Sequence, residues 1–475
     1  HQPAAQGRGT IPDLILQADE VVRVRNQLEA ILSRHTGRTA EQLRHERDLI
    51  ADELHDIVAH EITIDANRRR VRTYPPARRN RVDLRRNRRR AHLLVSTVLG
   101  KHIPTPPERV RRAADDLAAL IRDRIGAEAA EKSTVLGFAE TATGLGHCVF
   151  HALDAHAYLH STRRRPPGAL TVGSFEEGHS HATTHLLQPS SIEVLSANPD
   201  SPLILVDDEI STGATALRAI TAIYETTGRR DYVIASLVDL RSPEHRQATD
   251  DFASSNDVRI EYVSLAQGSI DLPAGLTDAV WETPSTPLNP LGARAEVVTV
   301  TLPWPADVPE GGRHGFLRSD TQEFTNAVDD AVAVLLPELD SSKSTVVVGH
   351  EELMYLPLCI AEGLAQAGIP TTFQTTTRSP AFVRDVDGYP LRRGLTFTAP
   401  EHDPGTPRFV YNLLDPDGSP DLPRIVLIID DPADTPDLTA PGGVLDVMTA
   451  AGHDVVVAKV TATGQCALRD ARSDS

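Results

Sequence analysis

The run Leu203–Thr215, LILVDDEISTGAT, gathers residue types suited to holding a phosphorylated sugar. Four apolar residues, Leu203–Val206, fit a buried parallel strand. Two acids, Asp207 and Asp208, follow at its C-terminal end, where ligands bind in open α/β sheets. Each carboxylate accepts hydrogen bonds, so an adjacent pair suits the two hydroxyls of a ribose. A small-residue loop comes next and opens a helix: Ser211, Thr212, Gly213, Ala214 and Thr215. Small side chains let backbone N–H groups approach a phosphate, and a helix N-terminus favours the anion. The bland alternative is a strand–turn–helix joint with an acidic cap. Adjacent acids followed by STGAT are more specific than that.

Further chemistry lies in Phe175–Leu186, FEEGHSHATTHL, with three histidines and two glutamates. His179 or His181 could carry a proton, and Glu176 or Glu177 could orient the ring. The spacing also admits a divalent-metal reading, which is the weaker of the two. These residues need a scaffold, and the chain supplies a pattern for one. Apolar strands alternate with helical segments at Thr134–Phe138, Cys148–Leu153, His156–His160, Leu203–Val206, Ala214–Thr226 and Tyr232–Leu240. That alternation predicts a parallel α/β sheet. A proline-rich junction, Thr301–Pro309, leads into a second α/β unit.

Strand, acid pair, spacer and STGAT loop together resemble the 5-phosphoribosyl diphosphate (PRPP) motif of type I phosphoribosyltransferases. The resemblance implies more sites. Val135–Gly146, VLGFAETATGLG, stands where that family binds pyrophosphate, which makes Glu140, Thr141, Ala142 and Thr143 candidates. Arg163 and Arg164, in Ser161–Arg165, follow the next strand, where the family holds pyrophosphate with basic residues. Phe175–Leu186 corresponds to the family's mobile lid, so Glu176, His179 and His181 join Asp207 and Asp208 as catalytic candidates. Mg²⁺ carried with PRPP is the implied cofactor, with no separate protein metal site. The ordered segments NRRRAHLLVSTVLGKHIPT, GFAETATGLGH, YLHSTRR, FEEGHSHAT and LVDDEISTGAT are similar to a phosphoribosyltransferase-like family of tellurium-resistance gene clusters. Its C-terminal domain takes its name, TRSP, from a signature that here is Thr377-Arg378-Ser379-Pro380. Transfer of a phosphoribosyl group to or from a base, in making a nucleoside-like metabolite, is the implied activity.

The C-terminal part repeats the first. VLGFAETATGLG has a counterpart in Val346–Leu364, YLHSTRRRP in FQTTTRSPA, and LILVDDEIS in IVLIIDDPAD. An internal duplication follows. The second copy keeps an acid pair, Asp430-Asp431, but lacks STGAT, and Pro432 removes an N–H donor. His350, Glu351, Arg378, Asp430 and Asp431 are expected in a second cleft, with Glu352, Tyr355, Tyr389, Arg392 and Arg393 around it. Arg313-His314-Gly315-Phe316 opens this unit and is placed to close over either cleft. The expected fold is α/β: two related parallel-sheet cores, Rossmann-like and of phosphoribosyltransferase type, preceded by helical N-terminal segments.

Those segments are a mosaic. Residues 1–43 contain an amphipathic stretch, Leu14–Arg34, and resemble the C-terminal part of the Clp protease proteolytic subunit. His1 would be that family's triad base, but the family's serine lies upstream of this segment and its aspartate falls after the likeness ends. No peptidase activity is expected. Residues 44–66 read as an amphipathic helix resembling the phosphoacceptor helix of sensor histidine kinases, with His55 as phosphoacceptor. No ATP-binding domain is apparent downstream, so packing is the expected use. Residues 67–90 are an arginine-rich linker. Ala91–Gly100 is expected as a short helix opening the phosphoribosyltransferase unit, residues 91–300; the TRSP unit spans 301–475.

A length of 475 residues suits about three domains. The net charge of −18 favours solubility. Cys148, Cys359 and Cys466 form no CxxC pair, which argues against zinc or a disulfide framework and for a reducing cytoplasm. No apolar run reaches membrane-helix length, and no signal peptide is expected. Expected partners are PRPP and a base, with no membrane; a homodimer is compatible. Arg68–Arg90 would permit nucleic-acid contact, though aromatic interleaving is confined to Tyr74. The rival function is a non-enzymatic PRPP- or nucleotide-sensing regulator that uses this run.

Overall fold

A computed structural model of the chain describes residues 62–65, 80–84, 92–166, 168–177, 184–270, 278, 280, 284–386, 389–401, 406–414 and 422–473. Three strands come first: β1 (Ile62–Asp65), β2 (Asn80–Leu84) and β3 (His92–Ser96). Helix α1 (Pro107–Ile125) follows, with α2 (Ala127–Lys132) behind it. Pro107 stands at its first turn, where a missing N–H costs nothing. Val110, Ala113, Ala114, Leu117, Ala118 and Ile121 recur at three- and four-residue steps, and all are buried.

The first core then runs β4 (Thr134–Gly137), α3 (Ala142–Leu153), β5 (Ala157–His160), hairpin β6 (Gly173–Glu176) and β7 (Thr184–Leu187), and α4 (Glu193–Ser196). It continues with β8 (Leu203–Ile210), α5 (Ala214–Thr227), β9 (Asp231–Asp239), α6 (Pro243–Asn256) and β10 (Arg259–Ile270). The second core is built from β11 (Val297–Thr301), α7 (Thr321–Leu335), β13 (Thr345–Gly349), α8 (Tyr355–Gln366) and β14 (Thr371–Thr375), with β12 (Phe316–Leu317), between β11 and α7, returning to the first sheet. Hairpin β15 (Gly394–Thr398) and β16 (Pro407–Tyr411), then β17 (Arg424–Asp430), α9 (Val444–Ala450), β18 (Val455–Val460) and α10 (Gln465–Ser473), complete it.

The sheets have orders β1-β10-β9-β8-β4-β5-β12 and β11-β18-β17-β13-β14. The stretch β9-β8-β4-β5 matches β18-β17-β13-β14, strand for strand and all parallel. Each copy inserts a hairpin between its second and third core strands. Hydrogen bonds repeat as well. Ser161 N–H donates to Gly137 O as Thr376 N–H donates to Gly349 O. Ser161 Oγ accepts from Ala139 N–H as Thr376 Oγ1 accepts from Glu351 N–H. The duplication read from the sequence is therefore structural.

The copies exchange arms. The segment before α1 crosses to the second sheet, where Thr105 and Phe373 exchange N–H···O bonds of 2.9 Å and Thr375 N–H donates to Gly100 O. The segment before α7 crosses the other way: β12 pairs with β5, and His160 N–H donates to Gly312 O. Residues Gly100-Lys101-His102 and Gly312-Arg313-His314 thus hold equivalent places. One apolar cluster joins both cores, from Leu117, Val149 and Phe316 to Val347, Leu356 and Val456. Residues 62–475 form one compact unit.

Two local expectations are corrected. Ile62–Asp65, expected within a helix, is strand β1, paired antiparallel with the edge strand β10. Its β-branched residues favour that ladder over a helix. Within Ala91–Gly100, expected as a helix, His92–Ser96 is a strand paired with β2. Leu93 and Val95 are buried with Leu94 half-buried between them, the period of a strand. Strand β11 already belongs to the second sheet, so the chain crosses over before residue 301. Residues 1–61 lie outside the described residues, and with them both N-terminal resemblances save for Ile62–Asp65.

Candidate functional site

In the first core, Leu203–Val206 of β8 are buried, and Asp207, Asp208 and Glu209 emerge half-buried at its C-terminal end. The Asp208 N–H donates to Asp207 Oδ1 at 2.9 Å. Burial pushes the Asp207 carboxyl well above its ordinary range, and negative charge on Asp208 and Glu177 adds to the rise. Gly213 sits at φ +82°, a left-handed conformation that turns the chain into α5. The N-cap Gly213 has no side chain to cap α5; the Ala214 N–H meets Thr212 Oγ1 at 3.3 Å, and the next N–H groups of the first turn face the loop. Behind the turn, a Cβ on Gly213 would stand 3.3 Å from Arg241 Cδ and 3.4 Å from Tyr262 Oη. Arg241 forks onto Asp239 at 3.0 and 2.9 Å and lies over the Tyr262 ring at 3.2 Å. Arg241 and Tyr262 brace the turn at Gly213, a role no local sequence pattern announces.

The loop Glu140–Thr143 joins β4 to α3 and is buried. Thr143 Oγ1 donates to Glu140 O at 3.1 Å, and Tyr158 Oη donates to Thr143 O at 2.6 Å. Lys101 Nζ donates to Thr141 Oγ1. Lys101 was missed among the sequence candidates, although it lies in the first matching segment. Arg163 Nη2 donates to Glu177 Oε2 at 2.7 Å, linking the arginine arm to the lid base. Glu177 is thus tied to Arg163 and its charge reaches Asp207, whereas Glu176 is exposed on β6 and accepts from Thr184 Oγ1. Residues 178–183 lie outside the described residues, so His179 and His181 do too. His185, the third histidine, shares a hydrogen bond with Ser161 Oγ at 2.9 Å.

Arg164 turns away from the first cleft. It grips Asp430 of the second core at 2.7 and 2.9 Å and donates to Glu401 at 2.9 Å. Arg313 joins the network through Asp430 at 2.7 Å and Glu352 at 3.0 Å. Glu352 also accepts from Thr162 Oγ1 at 2.6 Å and from the Arg163 N–H at 3.3 Å. The reciprocal contact exists: the Arg378 N–H approaches the Glu140 carboxylate at 3.3 Å. Burial opposes ionisation of Asp430, but Arg164 and Arg313 outweigh it and hold the carboxyl well below the usual range. Burial likewise opposes Glu351, and His350, Arg378 and Arg408 prevail.

His350, Glu351, Arg378 and Asp430 therefore come together as expected in the second core. Arg378 forks onto Glu351 at 3.0 and 2.9 Å, Arg408 bonds the same carboxylate, and His350 Nε2 meets Glu401 Oε1 at 2.6 Å. Asp431 is exposed and accepts from the Ala462 N–H at 3.2 Å. Four residues expected near this cleft stand elsewhere; one of them, Tyr389, packs edge-on to Phe382 and donates its Oη to Phe382 O at 3.2 Å. Tyr355 stacks on His147 at 3.7 Å between α8 and α3, because its ring seals the apolar joint of the cores. Arg392 and Arg393 pair with Asp385. His350, Glu351 and Glu401 are close enough to share a metal. Three guanidinium groups already face those two carboxylates, which leaves little for a cation to gain.

A phosphoribosyl transferase family profile matches residues 81–269. That match runs from β2 through β10. Residues 310–448 match the TRSP domain that lies C-terminal to it. The TRSP domain supplies Arg378 and Asp430, and the transferase domain the acid pair and phosphate loop. Residues 1–54 match the Clp protease family, past the boundary at 43 and into the kinase-like stretch. ATP-dependent Clp protease proteolytic subunit 1 of Nocardia farcinica is 73% identical over 48 residues, 10% of this chain and 24% of that protein. Subunit 4 of Rhodococcus jostii is 65% identical over 48 residues, 10% and 25% respectively. The chain spans about a quarter of the length of these curated relatives.

Among solved structures, adenine phosphoribosyltransferase from Rhodothermus marinus is similar at 21% identity and TM-score 0.24, over 34% of this chain and 80% of that one. A hypoxanthine phosphoribosyltransferase from Staphylococcus aureus is similar at 16% and 0.21, over 37% and 85%. Among the described residues, no helix is long and apolar enough to cross a membrane.

The family resemblance implies Mg²⁺ carried with PRPP, and the charge at this strand end bears on that expectation. Asp207 is driven toward its neutral form by burial and by Asp208 and Glu177, and a divalent cation would relieve that repulsion.

Proposed function

We propose that the transferase domain moves the phosphoribosyl group of PRPP to a nitrogen of a base-like acceptor, or the reverse, in making a nucleoside-like metabolite. The observation that carries this reading is one strand end, β8, bearing a half-buried carboxylate pair and leading through a small-residue loop into a helix N-terminus. In this reading Asp207 and Asp208 accept hydrogen bonds from the ribose hydroxyls. The N–H groups and hydroxyls of Ser211, Thr212, Gly213, Ala214 and Thr215 hold the 5-phosphate. Residues Glu140–Thr143, with Lys101 and Arg163, receive pyrophosphate; Arg164, committed to Asp430, holds the arm in place. The bond from ribose C1 to pyrophosphate breaks, and pyrophosphate leaves with the electron pair. The acceptor nitrogen supplies the pair for the new C1–N bond and sheds its proton to water or to a lid side chain. Carboxylate charge near the ribose stabilises the oxocarbenium-like transition state. Glu177 and the lid exclude water, which would otherwise consume PRPP. A divalent cation brought in with PRPP would supply charge neutralisation to the departing pyrophosphate.

The test is a mass-spectrometric screen of the full chain with PRPP, Mg²⁺ and a panel of bases. The expected result is acceptor-dependent loss of PRPP with a phosphoribosylated product, absent in the Asp207→Asn, Asp208→Asn protein. PRPP that stays intact with every base, though bound, would replace the enzyme with a PRPP-sensing regulator.

A further inference from the structure

The duplicated fold gives the second core its own strand-end cleft. A cavity of about 650 Å³ opens there, within the range of small-molecule sites. Asp431 and Pro432 after β17 and Ala462, Thr463 and Gly464 after β18 form one side. The first core's arm, Arg163–Pro166, forms the other. Six arginines line it: Arg163, Arg164, Arg165, Arg313, Arg378 and Arg408. Against them the wall carries two carboxylates, Glu401 and Asp431. The remaining acids, Glu351, Glu352 and Asp430, stand behind the arginines and fix their direction.

That arrangement differs from a structural ion-pair knot in one respect. Arg164 is buried, its side chain 5% exposed, yet its Nε has no hydrogen-bond partner. Its Nη atoms are spent on Asp430 and Glu401, and its Nε stands 3.8 Å from Glu352 Oε1, beyond hydrogen-bond reach, so one charged donor in the wall of the cavity is left unsatisfied. His314, on the same wall, is kept neutral by burial, its pKa lowered to about 4, so guanidinium groups alone carry the positive charge.

We propose that this second cleft binds a small molecule through a phosphoryl group, recognised by arginine forks instead of a helix N-terminus. Arginines from four segments converge, which suits a tetrahedral group with several charged oxygens better than a planar carboxylate. The cleft sits beside Arg163, which also reaches Glu177 of the first site. Its ligand is therefore either pyrophosphate released there or a phosphate ester bound in its own right. The proposal does not require the first core to be active.

The experiment is isothermal titration of the full chain with inorganic pyrophosphate and, separately, with ribose 5-phosphate. Gly464 is exposed at the cavity mouth, and a Cβ there meets nothing within 4 Å. Gly464→Glu therefore adds a negative charge to the wall without a clash, and Gly464→Gln is the neutral control. The expected result is a binding event that Gly464→Glu weakens about tenfold or more and Gly464→Gln leaves nearly unchanged. The Asp207→Asn, Asp208→Asn protein keeps this event, so its fate is separate from PRPP binding at the first site. Response to pyrophosphate alone marks a product site; response to ribose 5-phosphate marks an ester site. Identical affinity and stoichiometry for both ligands in wild type, Gly464→Gln and Gly464→Glu would overturn the proposal and leave the arginines as structural ties.

Discussion

Asp207 and Asp430 stand near the ends of matching strands, one position out of register, with Asp208 the counterpart of Asp430, and their surroundings drive them in opposite directions. Asp207 is raised by burial and by neighbouring acids; Asp430 is held down by two arginines. The first is the signature of a site awaiting a counter-charge, the second of one already satisfied. Asp430→Asn should therefore cost about 3–5 kcal/mol, because Arg164 and Arg313 lose their shared buried counter-ion. Urea unfolding of the variant checks this, and a loss under about 1 kcal/mol would mean that water already screens the network. The acid pair Asp430-Asp431 was legible as a counterpart of Asp207-Asp208. Its partner was not, since Arg164 lies 266 positions away and no local pattern links them. The same distance explains why Arg164 reads from sequence as a pyrophosphate ligand. Lys101 escaped notice because one lysine in a loop carries no pattern of its own.

At the scale of elements, periodicity located most of the fold. The buried strands β4, β8, β13 and β17 are continuous apolar runs, and α1 shows an unbroken amphipathic stripe. The failures are short apolar segments at the margins, β1 and β3, where strand and helix readings compete and tertiary pairing decides. The exchanged arms were invisible because their partners belong to the other core. Their glycines now make sense. A Cβ on Gly100 would lie 2.5 Å from the Phe373 ring, and one on Gly312 would strike the Tyr158 ring. Gly312→Ala should thus cost about 1–3 kcal/mol through forced repacking. Thermal unfolding measures it, and an unchanged midpoint would show that the arm does not bind β5 as described.

At the scale of the whole molecule, duplication is the organising fact. Two cores with one strand order share an apolar centre, trade arms and exchange loop contacts, with Arg163 facing Glu352 and Arg378 facing Glu140. The copies divide the chemistry. One keeps the STGAT loop and an acid pair in which burial raises the proton affinity of Asp207; the other turns Asp430, Glu351 and Glu352 into anchors for arginines. The sequence showed the repeat and the loss of STGAT, but not that the arginine arm of one copy would wall the cleft of the other. That outcome depends on how two surfaces meet, which no spacing within either copy encodes. The central claim is that the acid pair and loop after β8 hold a phosphoribosyl group. Calorimetric titration of the full chain with PRPP and Mg²⁺ tests it most directly, comparing wild type with Asp207→Asn, Asp208→Asn. Saturable binding in wild type and none in a normally folded double variant is the predicted result; equal binding in both would contradict the account.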